Sequence, residues 1–459
     1  MTNTIIKVTD KYTGEVLGEL QEADREGVKS IIECAQEAFA PYSELPAHLR
    51  SKILENASFL IGRYKKELAR TIASEAGKAL KYAMGEVDRA VETFKFASEE
   101  AKRIHGETLP MDASASGEGR LGFYLRMPIG VIAAISPFNF PLNLVAHKVA
   151  PALASGNTVV LKPATTTPLS AIKLAEILKE AGLPDGVFNI VCGSGSTVGS
   201  WIVEDPRPAM VTFTGSPSVG EEITRHAGLK KIALELGNNS GTMIEPDSDW
   251  KEAVGRCVMS AFANSGQVCI SLQRLYVHES IAKDFIAEFV HQTSSLKVGN
   301  PMDEKTDVGP MITESEAIRA EEWIKEAQEA GARVLAGGAR KNAVLMPTVL
   351  TDVKPDMKVV CEEVFAPVVC IIPYSNFEKG LSMLADSKYG LQAGLYTKDI
   401  TKIMQAVKKV DVGGMMINDT SIFRTDHMPY GGNKLSGIGR EGVKFAMEEM
   451  TNLRMVVIK

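Results

Sequence analysis

Residues 262–274 read FANSGQVCISLQR and set Cys269 directly after a Ser-Gly-Gln turn and before a β-branched run. A thiol attacks carbon as its thiolate, so an ordinary pKa of about 8.5 must fall, or a base must assist, at neutral pH. Two further stretches hold what that chemistry needs. In ISPFNFP (135–141), Asn139 lies between Phe138 and Phe140 where a strand is expected to end, so its amide can point into a cleft as an oxyanion donor. In LELGNNSG (234–241), Glu235 closes an apolar strand before Gly237, where desolvation raises a carboxyl toward general-base range. Each also has a plainer reading: packed core for Cys269, an Asx turn for Asn139, a solvated strand end for Glu235.

Two glycine-containing turns suit an anion. CGSGSTVG (192–199) follows a strand and opens a helix, but its glycines are not at GxGxxG spacing. FTGSPSVG (213–220) is the better phosphate site: Gly215 permits close backbone approach, and Ser216 with the amides of the following helix offers donors. A plain capped turn would look the same. The six cysteines include no CxxC pair and no Cys/His cluster with zinc spacing, so no metal is expected; Cys192, Cys257 and Cys370 read as packing.

The elements that must position these groups form a large chain. At 459 residues, two or three domains are expected. Hydrophobic residues are 45%, charged residues 24% and the net charge is −6, which points to a small soluble ligand and away from nucleic acid or an anionic membrane. The start MTNTIIKVTD has no signal-peptide pattern, so a reducing compartment, the cytoplasm, is expected. The apolar stretch 128–146 is interrupted by Pro137, Asn139, Pro141 and Asn143, which argues against a membrane span.

Apolar residues at three- and four-residue spacing predict helices over 22–39, 46–76 and 78–104. A Ser/Gly-rich break follows at 111–120. Strands at 131–137, 158–163, 187–193, 210–215 and 231–237 then alternate with helices near 142–154, 168–182, from 196 and near 217–227. A second β/α series begins at 241–246 and continues through 274–280, 332–338, 368–374, 390–397 and 413–419. Short Val/Ile-rich strands alternating with helices predict parallel sheets covered on both faces, in two α/β domains. The tail TNLRMVVIK (451–459) reads as a strand with no neighbour in sequence, expected to join a sheet elsewhere, including across a subunit interface.

Taken together, ISPFNFP, GNTVVLKPA (156–164), FTGS (213–216), LELG (234–237), SGQVCIS (265–271), CEEVFAPV (361–368) and MPYGGNKLSGIGREG (428–442) resemble the aldehyde dehydrogenase superfamily, in order and over nearly the whole chain. The resemblance implies an α/β fold with a Rossmann-type cofactor domain (1–117 and 131–240), a second α/β catalytic domain (241–440) and a small β oligomerisation element (118–130 and 441–459). It also implies a homodimer or homotetramer.

The implied reaction is NAD(P)-dependent oxidation of an aldehyde to the carboxylate. Cys269 forms the thiohemiacetal, the Asn139 amide and the Cys269 N–H hold its oxyanion, hydride leaves to the nicotinamide, and Glu235 activates the water that hydrolyses the thioester. Lys162 is expected at the adenosine ribose, Gly215 and Ser216 at the pyrophosphate, Glu363 and Phe365 at the nicotinamide ribose. Thr165 stands where NAD-preferring relatives often carry Glu, which admits NADP as well as NAD.

At the substrate end, Arg89 and Arg424 match positions that bind phosphate in non-phosphorylating glyceraldehyde-3-phosphate dehydrogenases, His147 matches a pocket position that is often aromatic in relatives using apolar aldehydes, and Phe140 is also expected at the substrate. Val268 stands where those enzymes place a further Arg. A small polar aldehyde is implied: a hydroxyaldehyde such as lactaldehyde, a semialdehyde or a sulfonated analogue. The alternatives are a CoA-acylating aldehyde dehydrogenase and, in another class, a cofactor-independent thiol hydrolase or acyltransferase.

Overall fold

A computed structural model describes residues 4–459. An antiparallel pair, Ile5–Thr9 with Val16–Gln21, precedes four helices, Arg25–Ser43, Ala47–Arg63, Lys65–Ala76 and Leu80–Glu100. The helical spacing accounts for the helices but not for the pair, whose strands are mostly exposed and so carry little apolar alternation. The stretch expected to run unbroken over 46–76 is divided at Tyr64 (φ −90°, ψ 12°).

The first sheet has the order Gly437–Ile438, Lys231–Glu235, Met210–Thr214, Val131–Ile135, Thr158–Lys162, Phe188–Ile190. Its five longer-connected strands are parallel, and Gly437–Ile438 adds an antiparallel edge on the strand that ends in Glu235. Every residue of Val131–Ile135, Thr158–Lys162 and Met210–Thr214 is buried, as a sheet with helices on both faces requires. The helix expected from 196 begins as a π-helical turn, Gly195–Gly199, before Ser200–Glu204.

The second sheet runs Arg333–Ala336, Thr348–Thr351, Val368–Tyr374, Arg274–His278, Gly241–Ile244, Gln392–Tyr396, Gly414–Ile417. It is parallel except at its Arg333–Ala336 edge. The tail strand, Thr451–Ile458, finds its partner within the same chain: eight residues pair antiparallel with Leu121–Pro128, which also pairs with Thr108–Leu109.

One helix face ties these parts together. Glu86, Arg89 and Thr93 on Leu80–Glu100 follow i, i+3, i+7 spacing and so share a stripe. All three contact the segment that carries Asn139 or its neighbours. Glu86 accepts from the amides of Leu142 (2.9 Å) and Asn143 (3.1 Å), at the start of the wholly buried helix Asn143–Ala154. Thr93 donates to Asn143 Oδ1 (3.0 Å), and Arg89 lies 5.7 Å from the Phe140 ring centroid.

Candidate active site

After helix Trp250–Phe262 the chain turns through three successive left-handed residues, Asn264 (φ 51°), Ser265 (φ 56°) and Gly266 (φ 69°). For the first two this backbone is costly and must be held from outside. The Asn264 amide donates to the carbonyls of Asn139 and Gln267, both at 3.2 Å, and Ser265 Oγ donates to Gly309 O at 2.8 Å. At position 266 a Cβ would fall 2.0 Å from the Ala366 carbonyl oxygen, so glycine is required. This turn delivers Cys269 to the wall of a cleft. Burial pushes the thiol up to about 11, while a 3.0 Å contact with the Tyr430 hydroxyl and the charge of Arg424 act in the opposite direction.

Asn139 lines the same cleft, and its Nδ2 donates to the carbonyl of Gln267 at 2.9 Å, which ties the amide to the Cys269 turn. Glu235 is buried and directly precedes the cleft residues Leu236 and Gly237 in the chain, without itself lining the cleft. Burial, and then the nearby Glu441 carboxylate, raise its pKa well above the ordinary value, and its Oε2 has no hydrogen-bond partner. A side chain at Gly431 would come within 2.9 Å of Glu235 Oε1, so the glycine leaves the carboxylate room.

The cleft, of about 1000 Å³, is lined by Cys269, Phe365, Glu363, Gly215, Ser216, Lys162 and Thr165. Lys162 Nζ donates to the carbonyls of Pro163 (3.0 Å) and Gly193 (3.1 Å), and Thr165 Oγ1 donates to Gly193 O (2.8 Å). Burial lowers Lys162 to about 8. Ser216 caps helix Pro217–His226 by accepting from Val219 N at 3.4 Å, so this helix start opens on the cleft. Glu363 accepts from Asn238 N at 2.9 Å, and burial raises it to about 7. Phe365, itself left-handed (φ 50°), sets its ring edge-on to Phe138 at 5.9 Å. A cleft of this volume, lined by a helix start, a buried cation and the thiol, fits a dinucleotide.

The residues expected around the substrate are arranged differently from a bare anion site. Asp426 accepts from Arg89 Nη2 (2.7 Å), His147 Nε2 (2.7 Å) and Asn143 Nδ2 (3.0 Å), all on one oxygen. Burial would raise this carboxyl, but His147 and Arg89 hold it well below the usual range. Burial and Arg424 lower the His147 pKa in turn. Arg424 does not stand open to an anion: its side chain is 5% exposed, its Nη2 donates to Glu441 at 2.9 Å, and its Cζ lies 3.5 Å from the Tyr430 ring centroid. Phe140 is covered by Lys78, whose Nζ lies 3.6 Å from the ring centroid and pairs with Glu86.

Asp426 and Lys148 adjoin these residues with no sequence signal, and Tyr430 and Glu441 do so from within the 428–442 motif, where neither stands out by itself. Lys148 Nζ donates to Glu441 at 3.1 Å and to Thr214 Oγ1 at 2.7 Å. Among the described residues no group of His, Cys, Asp and Glu could hold a metal ion, and no helix is long and apolar enough to cross a membrane.

Residues 1–456 match the family model described as the aldehyde dehydrogenase family. A 3-sulfolactaldehyde dehydrogenase of Priestia aryabhattai is 47% identical over 457 residues, covering 99% of this chain and 94% of that protein. A lactaldehyde dehydrogenase of Methanocaldococcus jannaschii is 43% identical over 455 residues, 98% of this chain and 96% of that one. The crystal structure of glyceraldehyde-3-phosphate dehydrogenase GapN from M. jannaschii, complexed with NADP, superposes with a TM-score of 0.95 at 42% identity, over 99% of this chain and 98% of that chain. This chain therefore belongs to the aldehyde dehydrogenase family, whose members oxidise aldehydes with NAD(P).

Proposed function

We propose that this enzyme oxidises a three-carbon 2-hydroxyaldehyde, with Cys269 as nucleophile, Asn139 as oxyanion donor and Glu235 as hydrolytic base. The observation that carries the residue roles is that Cys269 and Asn139 share one cleft with Lys162, Ser216 and Glu363. Sulfolactaldehyde, lactaldehyde and glyceraldehyde 3-phosphate, the aldehydes in the names of the three relatives above, are all 2-hydroxyaldehydes of three carbons.

Cys269 Sγ attacks the aldehyde carbon after its proton has left to solvent. One N–H of the Asn139 amide is spent on Gln267, and the second, with the Cys269 backbone N–H, receives the oxyanion. A nicotinamide dinucleotide, held by Lys162, Thr165, Gly215, Ser216, Glu363 and Phe365, supplies the two-electron acceptor. The acyl group then sits on Cys269 as a thioester, and Glu235 takes a proton from the attacking water. Its burial supports that role, because a carboxylate of raised pKa is a stronger base. A hydrolytic base speaks against release to CoA, and a dinucleotide-sized cleft at the thiol speaks against a cofactor-free hydrolase.

Because Asp426 balances Arg89 and Glu441 balances Arg424, a neutral third carbon suits the site. An anionic third carbon is the second reading, favoured by the 30% exposure of the Arg89 side chain and by the sulfolactaldehyde-oxidising relative. Formation of reduced cofactor with lactaldehyde, 3-sulfolactaldehyde and glyceraldehyde 3-phosphate, using NAD and NADP, tests the assignment. The expected result is kcat/KM at least tenfold above that for a three-carbon aldehyde without the 2-hydroxyl; equal values would refute it.

The six-stranded sheet, which holds Lys162 and leads into Ser216, is assigned to cofactor binding, and the seven-stranded sheet to catalysis. Exposed Leu121, Leu125, Leu453, Met455 and Val457 on the three-stranded sheet support assembly into a homodimer or homotetramer. All six cysteines are free thiols, which supports the reducing cytoplasm as its location.

A further inference from the structure

We propose that the hydroxyl of Tyr430, with Arg424 stacked on its ring, is the donor that holds the Cys269 thiolate before the aldehyde arrives. This rests on the reading of Cys269 as the nucleophile. Cys269 Sγ lies 3.0 Å from the Tyr430 hydroxyl, and the Tyr430 side chain is buried, so the contact is shielded from competing water.

The presentation of that hydroxyl is fixed by a single residue. Glu441 exchanges two backbone bonds with Tyr430, N to O at 3.1 Å in one direction and 2.6 Å in the other. Its carboxylate meanwhile holds Arg424 at 2.9 Å, and Arg424 lies 3.5 Å from the centre of the Tyr430 ring. Backbone and side chain of Glu441 thus clamp the tyrosine and the cation above it as one unit. A guanidinium over the ring face draws electron density from the phenol and strengthens its O–H as a donor.

Charge bookkeeping around the sulfur shows why a donor is needed. Glu235 and Glu363 disfavour the thiolate, as does burial; Arg424 and Tyr430 favour it. Tyr430 itself faces Cys269, Arg424 and Glu235, and burial raises its pKa well above the ordinary value, so it keeps its proton and donates it into the hydrogen bond. Ionisation of Cys269 releases the thiol proton to solvent. When Sγ bonds to the aldehyde carbon its charge passes to the carbonyl oxygen, and the Tyr430 bond weakens as the Asn139 bond forms. Tyr430 is then a catalytic residue that acts on the nucleophile, and Arg424, placed at a substrate-binding position, is a positioning residue.

The test is the pH dependence of iodoacetamide alkylation of the full-length enzyme, followed on the Cys269 peptide by mass spectrometry, with Cys269→Ala identifying that peptide's contribution. Tyr430→Phe keeps the ring under Arg424 and removes only the donor. The expected midpoint rises by about one to two units, so alkylation below it slows about ten- to a hundredfold, while NADP binding followed by protein fluorescence is unchanged. A midpoint that is unchanged or lowered overturns the proposal, since it means that the thiol donates to the tyrosine or that the contact has no effect. The two readings fail separately. If wild-type enzyme alkylated at Cys269 still oxidises aldehyde, the nucleophile assignment is wrong. If alkylation abolishes activity but Tyr430→Phe titrates like wild type, only the role of Tyr430 is wrong.

Discussion

The guanidinium of Arg89 and the carboxylate of Asp426 close on each other through three contacts, Nη2 to Oδ1 at 2.7 Å and Nε to both oxygens at 3.2 Å. The arginine's charge is therefore largely answered within the protein. Asp426→Asn keeps the shape and a hydrogen-bond acceptor but removes the answering charge. It should raise kcat/KM for 3-sulfolactaldehyde relative to lactaldehyde by about tenfold or more, since a charge-assisted bond to an anion is worth about 1.5–3 kcal/mol. Parallel changes for both aldehydes would show that Asp426 serves only to hold His147 and Asn143.

Glu235→Gln separates the two halves of the reaction. Mixing the variant with aldehyde and cofactor should give a burst of reduced cofactor near one per site, followed by slow turnover. Because burial raises the Glu235 pKa well above 4.5, wild-type deacylation should increase with pH as the base ionises, and the variant should lose that rise. An unchanged steady-state rate and pH profile in the variant would place deacylation on another group.

Thr165→Glu introduces a carboxylate beside Gly193 O, the group to which Thr165 donates. A 2′-phosphate there would be repelled by on the order of 1–3 kcal/mol. KM for NADP should rise much more than KM for NAD; equal changes would remove Thr165 from the adenosine ribose.

Glu75 supplies a pH-dependent stability term far from the chemistry. Its buried carboxylate accepts from Leu169 N (2.8 Å) and Ser170 N (2.9 Å), and burial raises it to about 7. A carboxyl whose folded pKa lies above its unfolded value contributes stability that is fully present below about 4.5 and is lost as pH rises through about 7. The size is of order 3 kcal/mol. Urea unfolding across that window should show the decline in wild type and a flatter profile in Glu75→Gln; identical slopes would contradict it.

Local patterns announce the groups whose chemistry depends on their own neighbours in sequence. Cys269 stands out because its turn needs Ser-Gly before it, and Glu235 because an apolar strand ends on it. Val/Ile-rich runs such as Val131–Ile135 announce themselves because both faces are buried. The Ile5–Thr9 and Val16–Gln21 pair leaves no such mark, since a mostly exposed hairpin has little apolar period to read. Arg89 and Arg424 were legible as cations near the substrate, but their partners were not. Asp426 is 337 positions from Arg89, and nothing in either segment records that they meet. Tyr430 and Glu441 lie inside a quoted motif, yet their grip on Cys269 and Arg424 exists only in three dimensions.

The strand Gly437–Ile438 lies against the strand of Glu235, and the segment around it also carries Arg424, Asp426, Tyr430 and Glu441. During synthesis from the N-terminus, Asn139, Glu235 and Cys269 all leave the ribosome before any of these. A nascent chain therefore carries its nucleophile without the donor, the cation or the counter-charge that surround it in the finished enzyme. Cys269 therefore meets the Tyr430 hydroxyl and the Arg424 charge only when residues 424–441 dock, so its catalytic setting is completed only once nearly the whole polypeptide has emerged.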